Sequence, residues 1–214
     1  MNIEFQNVTY RNKKFCLKDL SFAIREGYIT ALIGKNGAGK TTLFHLLLDK
    51  NAKYEGNILA DGIDWKQNHT ERMNRIGFVS SDRKFFMECT AQENAEMLRW
   101  LYVDFSPEKF QLHMERMGVC AQKRLLEMSG GEYIKFQLAF GMAHNAQLYL
   151  LDEATAGMDP VFKREFFRML HELLTDEHCT VFMSTHLQED IQKHMDYVIR
   201  LEEGYAKEIS VGSI

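Results

Sequence analysis

Strands alternating with helices predict an α/β protein, a parallel sheet with helices on both faces. Three observations carry the prediction. YITALIG, residues 28 to 34, is a nearly unbroken apolar run ending in glycine, as a buried parallel strand requires. From Ser129 the pattern runs helix, strand, helix, strand, as GEYIKFQLAFGMAHN, QLYLLDE, PVFKREFFRMLHELL and CTVFMST. Near the start IEFQNVTY alternates apolar and polar residues, which adds an antiparallel β-subdomain ahead of the parallel core.

In chain order, IEFQNVTY should pair with a strand around FCLKDLSFAI, and a helix from Lys40 to about Asp49 follows YITALIG. GNILADG reads as a short strand closed by an Asp-Gly turn, and RIGFVS as another strand. The middle changes character. Thr90 and Glu93 have capping-box spacing ahead of AQENAEMLRWLY, and Ser106-Pro107 opens a further helix. The block from about 83 to 128 has no strand candidate and is expected to be an inserted helical subdomain. YVIRLEE and YAKEIS supply the last strands, so residues 1–214 form one domain with that insertion.

With 45% hydrophobic residues and 2 prolines the chain should bury a substantial core. A net charge of −4 predicts no nucleic-acid partner, which would call for a basic face. Cys16, Cys89, Cys120 and Cys179 lie far apart without a CxxC pair, which speaks for buried thiols in a reducing compartment. MNIEFQNVTY lacks the pattern of a signal peptide, and no apolar run approaches the ~20 residues of a membrane span. The expectation is a soluble, cytosolic chain.

Gly34, Gly39, Lys40 and Thr41 fit G-x-x-x-x-G-K-[ST]. Glycines let the backbone curl until amide N–H groups point at phosphates, and the following helix adds its positive end. Lys40 would supply charge to the β- and γ-phosphates and Thr41 a hydroxyl to Mg²⁺. An ordinary glycine-rich turn has the same outline, but this one lies after a buried strand and before a helix. QLYLLDE puts Asp152 and Glu153 at the end of a second apolar strand. Asp152 there could hold Mg²⁺ through water, and Glu153 could polarise an attacking water, which favours hydrolysis over transfer to an acceptor. MSGGE, residues 128 to 132, has capping-box spacing between Ser129 and Glu132. A capping box does not ask for Gly130 and Gly131, which weaken a helix while baring backbone amides for a second anion. Two phosphate-binding helix ends in one chain imply two chains clamping one nucleotide.

From about residue 2 to 205 the sequence resembles the ATP-binding subunit of a bacterial ABC transporter. GKNGAGKTT (Gly34, Lys35, Asn36, Gly37, Ala38, Gly39, Lys40, Thr41, Thr42) is similar to the family's Walker A motif, MSGGE to its signature and LYLLDE to its Walker B. AGMD, residues 156 to 159, resembles the D-loop, and His186 in STH the switch histidine. The resemblance implies a P-loop NTPase core and an ATPase using ATP and Mg²⁺. It implies Glu153 and His186 as catalytic residues, with His186 on the γ-phosphate, and a nucleotide held between Walker A of one subunit and Ser129, Gly130, Gly131 and Glu132 of another. Where the family usually has a metal-reaching glutamine this chain has Ser81, followed by Asp82. The base-stacking aromatic is expected at Tyr10, with Phe15 or Cys16 as alternatives in YRNKKF.

One ATP-binding half and no long tail argue against tandem translation factors and coiled-coil chromosome ATPases. WLYVDFSPEKF and the missing glutamine are similar to exporter-type subunits that pair with a separate six-span permease. The expected partners are that permease and a second ATP-binding subunit, identical or not, placing the chain on the cytoplasmic face of the membrane. Met87, Met97, Trp100, Leu101 and Tyr102 are expected to contribute to the docking surface. The alternatives are an ABC-type ATPase with a repair or ribosomal partner, and a P-loop kinase, which would leave MSGGE without a role.

Overall fold

The computed structural model describes residues 1–11 and 15–213; residues 12–14, within YRNKKF, and residue 214 lie outside the described residues. Strand β3 (Ile29–Ile33) is buried at every position and lies between two parallel neighbours, β8 (Thr180–Ser184) and β9 (Tyr197–Glu202). A strand covered on both faces has no side on which to show polar residues, hence its apolar run. Among the described residues, β7 (Leu148–Asp152) and β6 (Ile76–Ser80) extend this sheet on one side and β10 (Tyr205–Ile209), antiparallel, closes the other. A four-stranded antiparallel sheet is built from β2 (Cys16–Ile24), β1 (Ile3–Arg11), β4 (Tyr54–Ala60) and β5 (Ile63–Asp64), in that order. Asp61 and Gly62, both at positive φ, form the turn between β4 and β5.

Alternation along the central strands divides the interior into two cores. Tyr149, Leu151, Val181 and Met183 face one of them, while Leu150 and Phe182 face the other. Phe182 meets Phe44 of α1 (Lys40–Leu48) edge-on at 5.2 Å and approaches Phe22 of β2 at 6.4 Å. The antiparallel sheet and α1 therefore cover one face of the parallel sheet.

The helical insertion holds α3 (Ala91–Leu98) and α4 (Pro107–Arg116), each started by its expected cap. Thr90 Oγ1 accepts from Glu93 N at 3.1 Å and Glu93 Oε2 from Thr90 N at 2.7 Å. The insertion does not build a separate core. Ala91, Ala95, Phe110, Met114 and Leu125 join the cluster that contains Tyr149 and Leu151, through α5 (Gly130–Ala143). Two short helices lacked a legible signal, α2 (His69–Met73) and α7 (Gln188–His194); neither has a side-chain cap at its start. α2 is held instead by buried Arg72, which donates to the carbonyls of Trp65 and Asp64 and stacks on the Trp65 ring. The last long helix, α6 (Pro160–Glu177), starts at Asp159, whose carboxylate accepts from Val161 N and Phe162 N at 3.0 Å each.

Candidate functional site

The loop from Gly34 to Gly39 joins β3 to α1, and α1 begins without a side-chain cap, on Gly39 at φ 107. Only glycine fits there: an added Cβ would lie 2.4 Å from the Phe15 ring. The first N–H groups of α1 are thus left for an outside acceptor. Lys40 is buried and curls the loop around itself, donating to the carbonyls of Gly34 at 2.9 Å and Lys35 at 3.3 Å. Its ammonium is 3.8 Å from Glu153 Oε1.

Sheet register brings the catalytic candidates together. Ser80 of β6 pairs with Asp152 of β7, Asp152 with Ser184 of β8, and Ser184 with Leu32 of β3, so the strands end at one level. Thr41 Oγ1 donates to Asp152 Oδ2 at 2.8 Å, and Ser184 Oγ donates to Asp152 Oδ1 at 2.6 Å. Glu153 follows at φ 49, a conformation uncommon outside glycine, and donates its N–H to Ser184 Oγ at 2.8 Å. A cavity of about 650 Å³ opens above, lined by Asn36, Gly37, Lys40, Thr41, Thr42, Ser81, Asp152 and Glu153, with Phe15 as a wall. A hydroxyl and a carboxylate within hydrogen-bond reach are the hard oxygen donors that Mg²⁺ takes. Among the described residues no three His, Cys, Asp or Glu side chains cluster as a metal cage.

The signature segment opens elsewhere. Ser129, Gly130, Gly131 and Glu132 line a cavity of about 630 Å³ with Gly157, Asp159 and Phe162, and among the described residues only Ser81 and Glu153 border both cavities. The capping box is formed: Ser129 Oγ accepts from Glu132 N at 3.2 Å, and Glu132 Oε2 from Ser129 N at 2.8 Å. Lys123, which the motifs did not flag, donates to both Glu132 oxygens at 2.9 Å. Its ammonium, with the Ser129 N–H, holds the Glu132 carboxyl below the usual range. The two glycines do different jobs. A Cβ on Gly131 would press to 3.0 Å on the Phe162 ring, whereas one on Gly130 would meet nothing within 4 Å. Capping and an open amide surface thus coexist at this helix end.

Two expected residues stand apart. Tyr10 is paired across the sheet with Leu17 and Tyr54, packs on the core beneath, and lines neither cavity. The residue beside the loop is Phe15, which also borders an adjoining cavity of about 440 Å³ with Lys35, Ala38 and Arg200. Cys16 is half-buried with its thiol 3.5 Å from the Leu17 carbonyl. His186 is exposed just beyond β8 and lines neither cavity of this single chain. Ser184 was not singled out, although it ends an apolar strand and opens the STH segment that carries His186.

Fold and loops together define a P-loop nucleotide-binding domain. The chain belongs to the ABC transporter family, which its residues 17–156 match. It is 29% identical to the lipoprotein-releasing system ATP-binding protein LolD of Rickettsia bellii, over 88% of this chain and 87% of that protein. It is 31% identical to the sulfate/thiosulfate import ATP-binding protein CysA of Ralstonia nicotianae over 98% of this chain, and 29% identical to the bacitracin transport ATP-binding protein BcrA of Bacillus licheniformis over 86%. The chain spans 59% of the length of CysA and 61% of that of BcrA. In fold it is similar to the dimeric, post-hydrolysis ATP-binding cassette MJ0796 bound to ADP and Pi, with a TM-score of 0.83 at 24% identity over 98% of both chains.

Proposed function

We propose that this chain binds and hydrolyses ATP to drive transport through a separate membrane permease, by ATP-dependent closure of two such subunits. One observation carries the reading: the two anion-binding helix ends open on different cavities, which supports a second chain completing each site. The loop amides and Lys40 take the β- and γ-phosphates, and Ser129, Gly130 and Gly131 close on the γ-phosphate from the other subunit. Thr41 and Asp152 would hold Mg²⁺, which shields phosphate charge, and Ser81 reaches that shell through water. Glu153 polarises the attacking water, and His186 approaches the γ-phosphate as the subunits close. Phe15, rather than Tyr10, is assigned the base, because it alone of the two walls the loop.

We place the docking surface on those expected residues that stand exposed, together with Val103. Met97, Trp100, Leu101 and Val103 stand exposed, Trp100 at 78%. Met87 and Tyr102 leave the set because both pack on the core, Tyr102 stacked on His144 at 4.1 Å. Among the described residues no helix is long and apolar enough to cross a membrane. We place the chain on the inner membrane face through its permease and assign it to exporters. A P-loop kinase would leave the second cavity unused.

Glu153→Gln tests the reading, since it keeps shape and hydrogen-bonding reach but removes the charge that activates water. Permease-bound protein should then bind Mg·ATP, accumulate as a closed pair by crosslinking, and release phosphate slowly. Hydrolysis at the native rate would sink the assignment.

A further inference from the structure

We propose that Ser184 is a positioning residue that holds Asp152 and Glu153 with one hydroxyl and so sets the Mg²⁺ dependence of nucleotide binding. This rests on the nucleotide-site reading above and gives a role to Ser184, which opens the STH segment but was not singled out there.

Ser184 is fully buried, and among the described residues its hydroxyl bonds Asp152 and Glu153. Its single proton goes to Asp152 Oδ1 at 2.6 Å, and it accepts the Glu153 N–H at 2.8 Å. Both bonds matter where they stand. Strand β7 ends at Asp152, so the Glu153 N–H has left the sheet ladder, and the residue turns there through φ 49. The Ser184 oxygen gives that N–H a buried acceptor and so fixes where the Glu153 side chain starts. On Asp152 the two oxygens are divided. Oδ2 takes the Thr41 hydroxyl, the other expected metal ligand, and Oδ1 takes Ser184. Thr41 uses only its proton on Oδ2, so its lone pairs would be left to hold an ion. The Ser184 bond lies on the opposite oxygen and keeps the carboxylate plane in place.

Residues that orient metal ligands typically change metal affinity 10- to 100-fold when removed. The test is titration with a fluorescent ATP analogue with and without Mg²⁺, on wild type, Ser184→Ala, Ser184→Thr and Ser184→Val. Ser184→Ala should bind the analogue without Mg²⁺ within about twofold of wild type, yet need roughly tenfold more Mg²⁺ for half-maximal enhancement. Thr and Val have the same shape and differ in the hydroxyl. Thr should restore the Mg²⁺ response and Val should not, which separates the hydroxyl from packing even where alanine impairs folding. An unchanged Mg²⁺ response in Ala, or equal responses in Thr and Val, overturns the proposal. Wild type that binds no analogue, or Lys40→Ala that binds it normally, overturns the nucleotide-site reading itself and this proposal with it.

Discussion

Replacing Gly130 by alanine adds one methyl group at the first position of α5, where the new Cβ would meet nothing within 4 Å. The backbone there is not in the left-handed region, so the substitution carries no conformational strain. Alanine restricts the unfolded chain and favours the helix, which stabilises by up to about 1 kcal/mol. For a domain of this size that is a rise in Tm of at most about 2–4 °C. The same methyl stands on the cavity where the other subunit's γ-phosphate is proposed to dock. One backbone N–H bond to a charged group contributes roughly 1.5–3 kcal/mol, and its loss lowers turnover roughly 10- to 100-fold at about 1.4 kcal/mol per decade. Thermal unfolding and steady-state phosphate release on the same preparation read both effects. The expected result is an equal or higher Tm with turnover largely lost. A clear drop in Tm would refute the open-surface geometry, and undiminished turnover would refute the proposed docking of phosphate on this helix end. Gly131→Ala is the contrast. Its methyl presses to 3.0 Å on the Phe162 ring, so Tm itself should fall.

Lys40→Ala removes the buried ammonium at the loop and should abolish analogue binding; binding at wild-type strength would show the site to be misplaced. His144 is buried, and burial holds its imidazole down at about 4, against an ordinary value of 6.5. The unfolded chain takes up that proton first, so stability is full above 6.5 and declines as pH falls from 6.5 towards about 4, by roughly 3 kcal/mol in all. Urea unfolding at about pH 7 and about pH 5 should show a loss near 2 kcal/mol that His144→Phe largely removes, and an equal slope in both proteins would refute it. Trp100→Glu and Leu101→Glu lie on exposed positions and should leave folding and ATP binding intact while uncoupling hydrolysis from transport. Crosslinks from the permease that map only to β1 and β2 would rule that surface out.

What the sequence determined by itself is the set of features whose cause lies within one stretch of chain. The apolar run of β3, the glycine loop into α1 and the capping boxes at Thr90 and Ser129 all follow from neighbours a few residues apart. The class of the protein was legible for that reason. Tertiary structure decided what depends on pairing. Tyr10 and Phe15 could not be ranked by counting along the strand, because β1 shifts register against β2 between Phe5 and Val8 and again before Tyr10. Met87, Trp100 and Tyr102 are all large and apolar, and only packing on the shared core separates the exposed Trp100 from the other two. The bonds that hold Asp152 come from Thr41, 111 residues away, and Ser184, 32 residues away. No local pattern encodes which residues of β7 and β8 lie side by side. That register is set by the whole sheet as it buries alternate side chains in two cores, since a slip of one residue would turn every buried side chain to the wrong face.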